Sequence, residues 1–259
     1  LDEEQLMAAI SRYVALGDSF TEGIGDPHPR SANGLRGWAD LVAAQLAGDN
    51  PDFRYANLAV RGRTMGDVLD GQLDAAIDLE PDLVTIYAGL NDLLKIHTDI
   101  DAMMARYGDA MARLQRAGAR VLTFTAADIG TVPVFRRLRG RAAIYNELLR
   151  AIVEDLGVDL VDFWRLKEFR DPRMWDGDRI HLSPVGHQQI AVRVLEQLSV
   201  PHALTCPVDA QTFGTGVRSL RADLYWAATF AAPWAFRRLR RLTPGAGIEP
   251  KLARMTSVF

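Results

Sequence analysis

Short β-rich runs alternate with longer segments of helical period from residue 13 to about residue 200, and this alternation restricts the fold more than any other feature of the chain. The β-like runs are YVALG (13–17), FRYANLAV (53–60), LVTIYAG (83–89), RVLTFTAA (120–127) and VDLVDFW (158–164). Candidate helices fall at about 36–47, 65–78, 99–117, 140–156 and 184–198. In the second of these, Met65, Val68, Leu69, Leu73, Ala76 and Ile77 recur at spacings of three and four and so share one face. Strands connected through helices run parallel, and a parallel sheet is covered on both sides. The pattern predicts an α/β fold built on a five-stranded parallel sheet. Ligands of such sheets bind beyond the carboxyl ends of the strands. Residues that carry chemistry are therefore expected just after the β-like runs.

Several function classes fall away on composition and motif. With 48% apolar and 24% charged residues the chain has the makings of a sizeable core, and its net charge of -3 gives no general attraction to nucleic acid. Cys206 is the only cysteine, so neither an internal disulfide nor a paired-cysteine zinc site can form. His28, His97, His181, His187 and His202 lack zinc-binding spacing, and no metal or cofactor is expected. GIGDPH (23–28) starts like a dinucleotide fingerprint but lacks its third glycine, and neither a Walker A motif nor G-x-S-x-G occurs. No run of about 18 apolar residues suggests a membrane span. The acidic start LDEEQLMAAI does not read as a signal peptide. A cytoplasmic location is the expectation, although a start at Leu is compatible with a leader already removed.

Four polar stretches fall where the sheet predicts them. Ser19 follows the first β-like run in YVALGDSFTEG, Gly62 follows the second in NLAVRGRT, and GLND (89–92) follows the third. DGDRIHLSPVGH (176–187) lies after the last run and before the last helix. A serine hydroxyl needs a base to take its proton, and that base needs a partner to orient it. His181 and Asp178, three residues apart, meet that need, with the carboxylate at one ring nitrogen and Ser19 at the other. Acyl transfer also needs donors aimed at the developing oxyanion. The amides of Ser19 and Gly62 and the side-chain amide of Asn91 can supply them, and a glycine at 62 lets backbone approach closely. Asp176 competes with Asp178 as orienter. His187, early in the last helix, fits packing or capping better than a base.

These blocks, Gly17-Asp18-Ser19, Gly62, Gly89-Leu90-Asn91-Asp92 and Asp178-Arg179-Ile180-His181, resemble in order those of the SGNH (GDSL-type) hydrolase superfamily. The resemblance spans about residues 11 to 200. It implies a flavodoxin-like three-layer sandwich, Ser19 as nucleophile, His181 as base, Asp178 as orienter, and an oxyanion hole from Ser19, Gly62 and Asn91. It also implies a small-molecule ester as substrate; the family spans carboxylesterases, lysophospholipases, thioesterases and carbohydrate acetylesterases, and the residue types do not choose among them. A binding protein that keeps the fold with an inactive site is the alternative of another class. Phe20 stands where the family's motif name has Leu, at a packing position. No lid or extra domain separates Ser19 from Asn91, which suggests an open site for short acyl groups. Loops at about 24–38 and 129–139 would wall it.

We divide the chain into a hydrolase domain, 1–204, and a C-terminal extension, 205–259. In 217–242 the aromatics Trp226, Phe230, Trp234 and Phe236 precede Arg237, Arg238, Arg240 and Arg241, and TPGAGIEPKLARMTSVF looks irregular. The aromatic and arginine-rich segment could dock on the domain or a second subunit, or make peripheral contact with an anionic membrane.

Overall fold

Alternate residues of the central strands face opposite sides of one sheet, as the two-residue repeat of a strand requires. In β1 (Arg12–Gly17), Tyr13 and Ala15 enter one buried cluster and Val14 and Leu16 the other. The same division holds for Leu83 and Tyr87 against Val84 and Ile86 in β3 (Leu83–Tyr87). This computed structural model describes residues 10–48, 50–128, 130, 135–205, 229, 245 and 247–258. The remaining strands are β2 (Arg54–Asn57), β4 (Arg120–Phe124), β5 (Asp159–Val161) and β6 (Leu252–Thr256).

The sheet order is β5-β4-β3-β1-β2-β6. Strands β1 to β5 pair in parallel, and β6 pairs antiparallel with β2. The sheet thus has six strands where five were expected, and the sixth comes from the segment expected to be irregular. LARMT gives no β signal because only two of its five positions are even half-buried, the pattern of a short edge strand.

The helices are α1 (Ser19–Glu22), α2 (Trp38–Ala47), α3 (Met65–Gly71), α4 (Leu73–Asp78), α5 (Leu90–Leu93), α6 (Ile100–Arg116), α7 (Arg139–Leu156) and α8 (Pro184–Gln197). Trp38, Val42, Ile190 and Val194 place α2 and α8 in one cluster, and Val68, Leu73, Met104 and Leu149 place α3, α4, α6 and α7 in the other. Three layers result. The expected single helix over 65–78 is two helices, broken at Gln72. There the side-chain amide accepts from Gly17 N at 2.9 Å and donates to Gly17 O at 2.9 Å, which ties the break to the end of β1.

Two features bring the polar loops together. β1 lies between β2 and β3, so the loops leaving these three strands are neighbours at the carboxyl edge, where the order of the sheet reverses. The fourth loop reaches them by a run of 3-10 turns after β5, ending at α8, whose start Ser183 caps by accepting from Gly186 N. Residues 217–228 and 230–242, Ile129 and residues 131–134 lie outside the described residues. No described helix is long and apolar enough to cross a membrane.

Candidate active site

Ser19 is the first residue of a single helical turn, and Asp18 caps that turn by accepting from Phe20 N at 3.1 Å. Gly17 ends β1 at φ 147°, with room for no side chain: a Cβ there would lie 2.5 Å from Tyr87 O. A serine placed this way projects above the sheet at the exit of its central strand. Phe20 turns inward and packs on Trp38, Tyr87, Phe124 and Phe163 with centroid separations from 4.8 to 5.9 Å. It fixes the turn from below, by aromatic contact.

The histidine arrives on a tight loop closed by Asp176 N donating to His181 O at 2.9 Å and Trp175 bridging Leu182. His181 Nε2 lies 3.0 Å from Ser19 Oγ, and Nδ1 lies 2.5 Å from Asp178 Oδ2. An ionised carboxylate only accepts, so Nδ1 carries the proton and donates to Asp178, leaving Nε2 to accept from the serine hydroxyl. Asp178 is locked by its own loop, because Oδ1 also accepts from Ile180 N and His181 N, each at 2.9 Å. Burial alone would raise its carboxyl, but the His181 ring and the two amides outweigh this and hold it below the usual range. It stays charged beside the imidazole. Of the two acids in this loop, the ring bonds Asp178.

Gly62 follows β2 with φ 77°, a left-handed conformation that favours glycine. Asn91, in the turn α5, donates from Nδ2 to Asp18 Oδ2 at 3.1 Å and to Arg63 O at 3.0 Å. Its amide therefore spans the residues that flank Ser19 and Gly62. Neighbouring bonds keep it there: Asp92 Oδ2 accepts from Met65 N at 2.7 Å, and Tyr145 donates to Ala88 O at 2.8 Å. Burial pushes the Asp18 carboxyl up to about 6, against the opposing pull of the Phe20 amide and His181.

His187 is fully buried away from Ser19. Its Nδ1 accepts from Trp38 N at 3.1 Å, and Nε2 donates to Ile24 O at 3.0 Å, so both ring nitrogens serve packing of the α2 entry. Burial pulls its pKa down to about 4. Sequence reasoning missed Glu22, an acid with its side chain 1% exposed, which accepts from Arg61 N at 2.6 Å and from the Arg61 guanidinium. Nothing in the pattern marked it, since an acid closing a short helical turn reads as solvated. Among the described residues no group of three or more His, Cys, Asp or Glu could hold a metal ion.

No curated protein sequence matches the chain. Among solved structures, the chain is similar to LAE5, an alpha/beta hydrolase enzyme from the metagenome of Lake Arreo, Spain, with 23% identity over 79% of this chain and 100% of that one, TM-score 0.61. It is similar to the psychrotrophic esterase EstA from Pseudoalteromonas sp., with 19% identity over 73% and 97% of the two chains, TM-score 0.55. The acetyl xylan esterase AlAXEase shares 22% identity over 71% and 98%, TM-score 0.57. These likenesses show the fold. A family model, that of the GDSL-like lipase/acylhydrolases, matches residues 15–189, which takes in Ser19, Gly62, Asn91, Asp178 and His181. The chain belongs to the GDSL-like lipase/acylhydrolase family and is a carboxylic ester hydrolase.

Proposed function

We propose that the protein is a serine esterase acting on esters of short to medium acyl chains through an acyl-enzyme. The observation that carries this reading is the unbroken line from Asp178 Oδ2 through His181 to Ser19 Oγ, with spacings of 2.5 and 3.0 Å between residues as far as 162 positions apart. His181 Nε2 takes the hydroxyl proton as Oγ attacks the ester carbonyl, and the imidazolium formed is stabilised by Asp178. The oxyanion is received by the amides of Ser19 and Gly62 and by Asn91 Nδ2, one of whose hydrogens leaves Asp18 or Arg63 as charge develops. His181 returns the proton to the departing alkoxide. Water then enters, His181 takes its proton as the oxygen adds to the acyl carbonyl, and collapse breaks the bond to Ser19 Oγ, which takes the proton back from His181 as the acid leaves.

A cavity of about 260 Å³, walled by the aromatics Phe163, Phe169 and Trp175 and by the charged Asp128, Arg165, Lys167 and Arg170, is of a size for an acyl group of modest length. Phe163 packs on Phe20, next to the nucleophile, and Trp175 belongs to the loop that bears His181. The test is fluorophosphonate labelling with turnover of p-nitrophenyl esters from acetate to dodecanoate, with an acetylated xylooligosaccharide included. Labelling confined to Ser19, loss of turnover in Ser19→Ala and His181→Ala, and a rate maximum at or below octanoate are expected. Substantial turnover by either variant would overturn the assignment.

A further inference from the structure

Lys251 sits in an otherwise mostly exposed stretch, yet its side chain is 1% exposed. Its Nζ donates to the carbonyl oxygens of Glu22 at 2.9 Å, Arg36 at 2.6 Å and Leu35 at 3.4 Å, and lies 2.9 Å from Asp40 Oδ1. Glu22 closes the helical turn that Ser19 opens, Leu35 and Arg36 precede α2, and Asp40 lies in the first turn of α2. One ammonium thus gathers acceptors from three separate parts of the chain. Burying a cation is unfavourable unless acceptors surround it, and here they are supplied in full.

The same segment also meets the loop that carries Gly62. A Cβ on Gly245 would fall 2.1 Å from Arg61 O, and β6 pairs with β2, the strand that leads into that loop. Glu22 links the two contacts, since its carboxylate holds Arg61 while its carbonyl receives Lys251.

We propose that Lys251 is a positioning residue for ester hydrolysis: delivered by the β6 segment, its ammonium fixes the end of the Ser19 turn and, through Glu22, the Arg61–Gly62 backbone. This rests on Ser19 being the nucleophile. An alkyl side chain at 251 fills the same space but takes the donor from the buried Glu22 carbonyl and the half-buried Leu35 and Arg36 carbonyls, and leaves Asp40 Oδ1 with Tyr55 OH. The turn then loses its anchor while the chemical groups remain.

The experiment compares full-length wild type, Lys251→Met and Lys251→Ala on p-nitrophenyl acetate, with and without propylammonium chloride. Tetramethylammonium chloride at equal concentration controls for ionic strength. Expected are a kcat 10- to 100-fold below wild type in both variants, KM within about threefold, and at least a fivefold recovery of kcat in Lys251→Ala by propylammonium alone. A kcat within twofold of wild type in folded Lys251→Met overturns the proposal, as does a loss that propylammonium does not restore. If Lys251→Met does not fold, Lys251→Ala prepared with propylammonium takes its place: kcat that tracks amine concentration supports the proposal, and kcat indifferent to it overturns it. Fluorophosphonate labelling of wild-type Ser19 reports on the nucleophile separately. Its failure would remove the functional reading, whereas a failed amine rescue with labelling intact would remove only the role of Lys251.

Discussion

The Glu22 carboxylate accepts both the backbone amide and the guanidinium of Arg61, so the turn that carries Ser19 and the loop that carries Gly62 are held as one unit. Arg61 is 32% exposed and Glu22 is not, which makes the acid the member that depends on its partner. Removing one side of a buried pair leaves an uncompensated charge and costs about 3–5 kcal/mol. Discounted for the solvent that reaches Arg61, Arg61→Ala is expected to lower stability by about 2 kcal/mol, measured by urea unfolding. Glu22→Gln keeps an acceptor for the Arg61 amide and is expected to lose less stability.

Replacing Asp178 by asparagine keeps the size of the side chain but removes the charge that holds Nδ1 protonated. The introduced amide can present a donor to the ring and so favour the tautomer that cannot accept from Ser19. A kcat roughly 10²- to 10⁴-fold lower is expected, with the melting temperature changed little. A wild-type kcat in Asp178→Asn would show that another group orients His181.

For Asn91 the expectation concerns one transition-state donor. Asn91→Ala is expected to lower kcat by about 10²- to 10³-fold with KM nearly unchanged. Steady-state kinetics on a single ester separate the two parameters. A raised KM at constant kcat would instead assign Asn91 to ground-state binding.

Asp18 and His187 give opposite pH dependences, which variants can separate. The Asp18 carboxyl rises from 3.8 to about 6 on folding, so its contribution is complete below pH 3.8 and is lost as pH rises through about 6. His187 falls from 6.5 to about 4, so its contribution is complete above pH 6.5 and is lost as pH falls through about 4. Relative to wild type, Asp18→Asn should therefore gain stability as pH rises from about 4 to about 7.5, by up to about 3 kcal/mol. His187→Gln should gain over a similar interval in the opposite direction, towards acid. Urea unfolding at several pH values reads both slopes, and parallel curves for variant and wild type would refute either assignment.

How much of this was legible depended on where each residue sits. The parallel core was legible because β1, β3 and β4 are buried on both faces and read as apolar runs. Ser19, Gly62, Asn91, Asp178 and His181 stood out because they follow strands in order and match a family's blocks. Gln72 did not, since the helical period runs through it and its partner Gly17 lies 55 positions away. Strand β6 was missed because an edge strand with exposed side chains carries almost no hydrophobic signal.

The sequence by itself determined the alternation of strands and helices, the family, and the set of residues from which a site could be built. Those follow from local periodicity and from residue types at fixed spacing. Tertiary structure decided which polar groups meet: that His181 reaches Ser19 across 162 positions, that Glu22 holds Arg61, and that Lys251 enters a cage of carbonyls 229 positions from Glu22. Burial changes the energetic meaning of a charge, because an acid or a lysine that costs little in water must find partners once water is excluded. Only the folded chain specifies which partners those are.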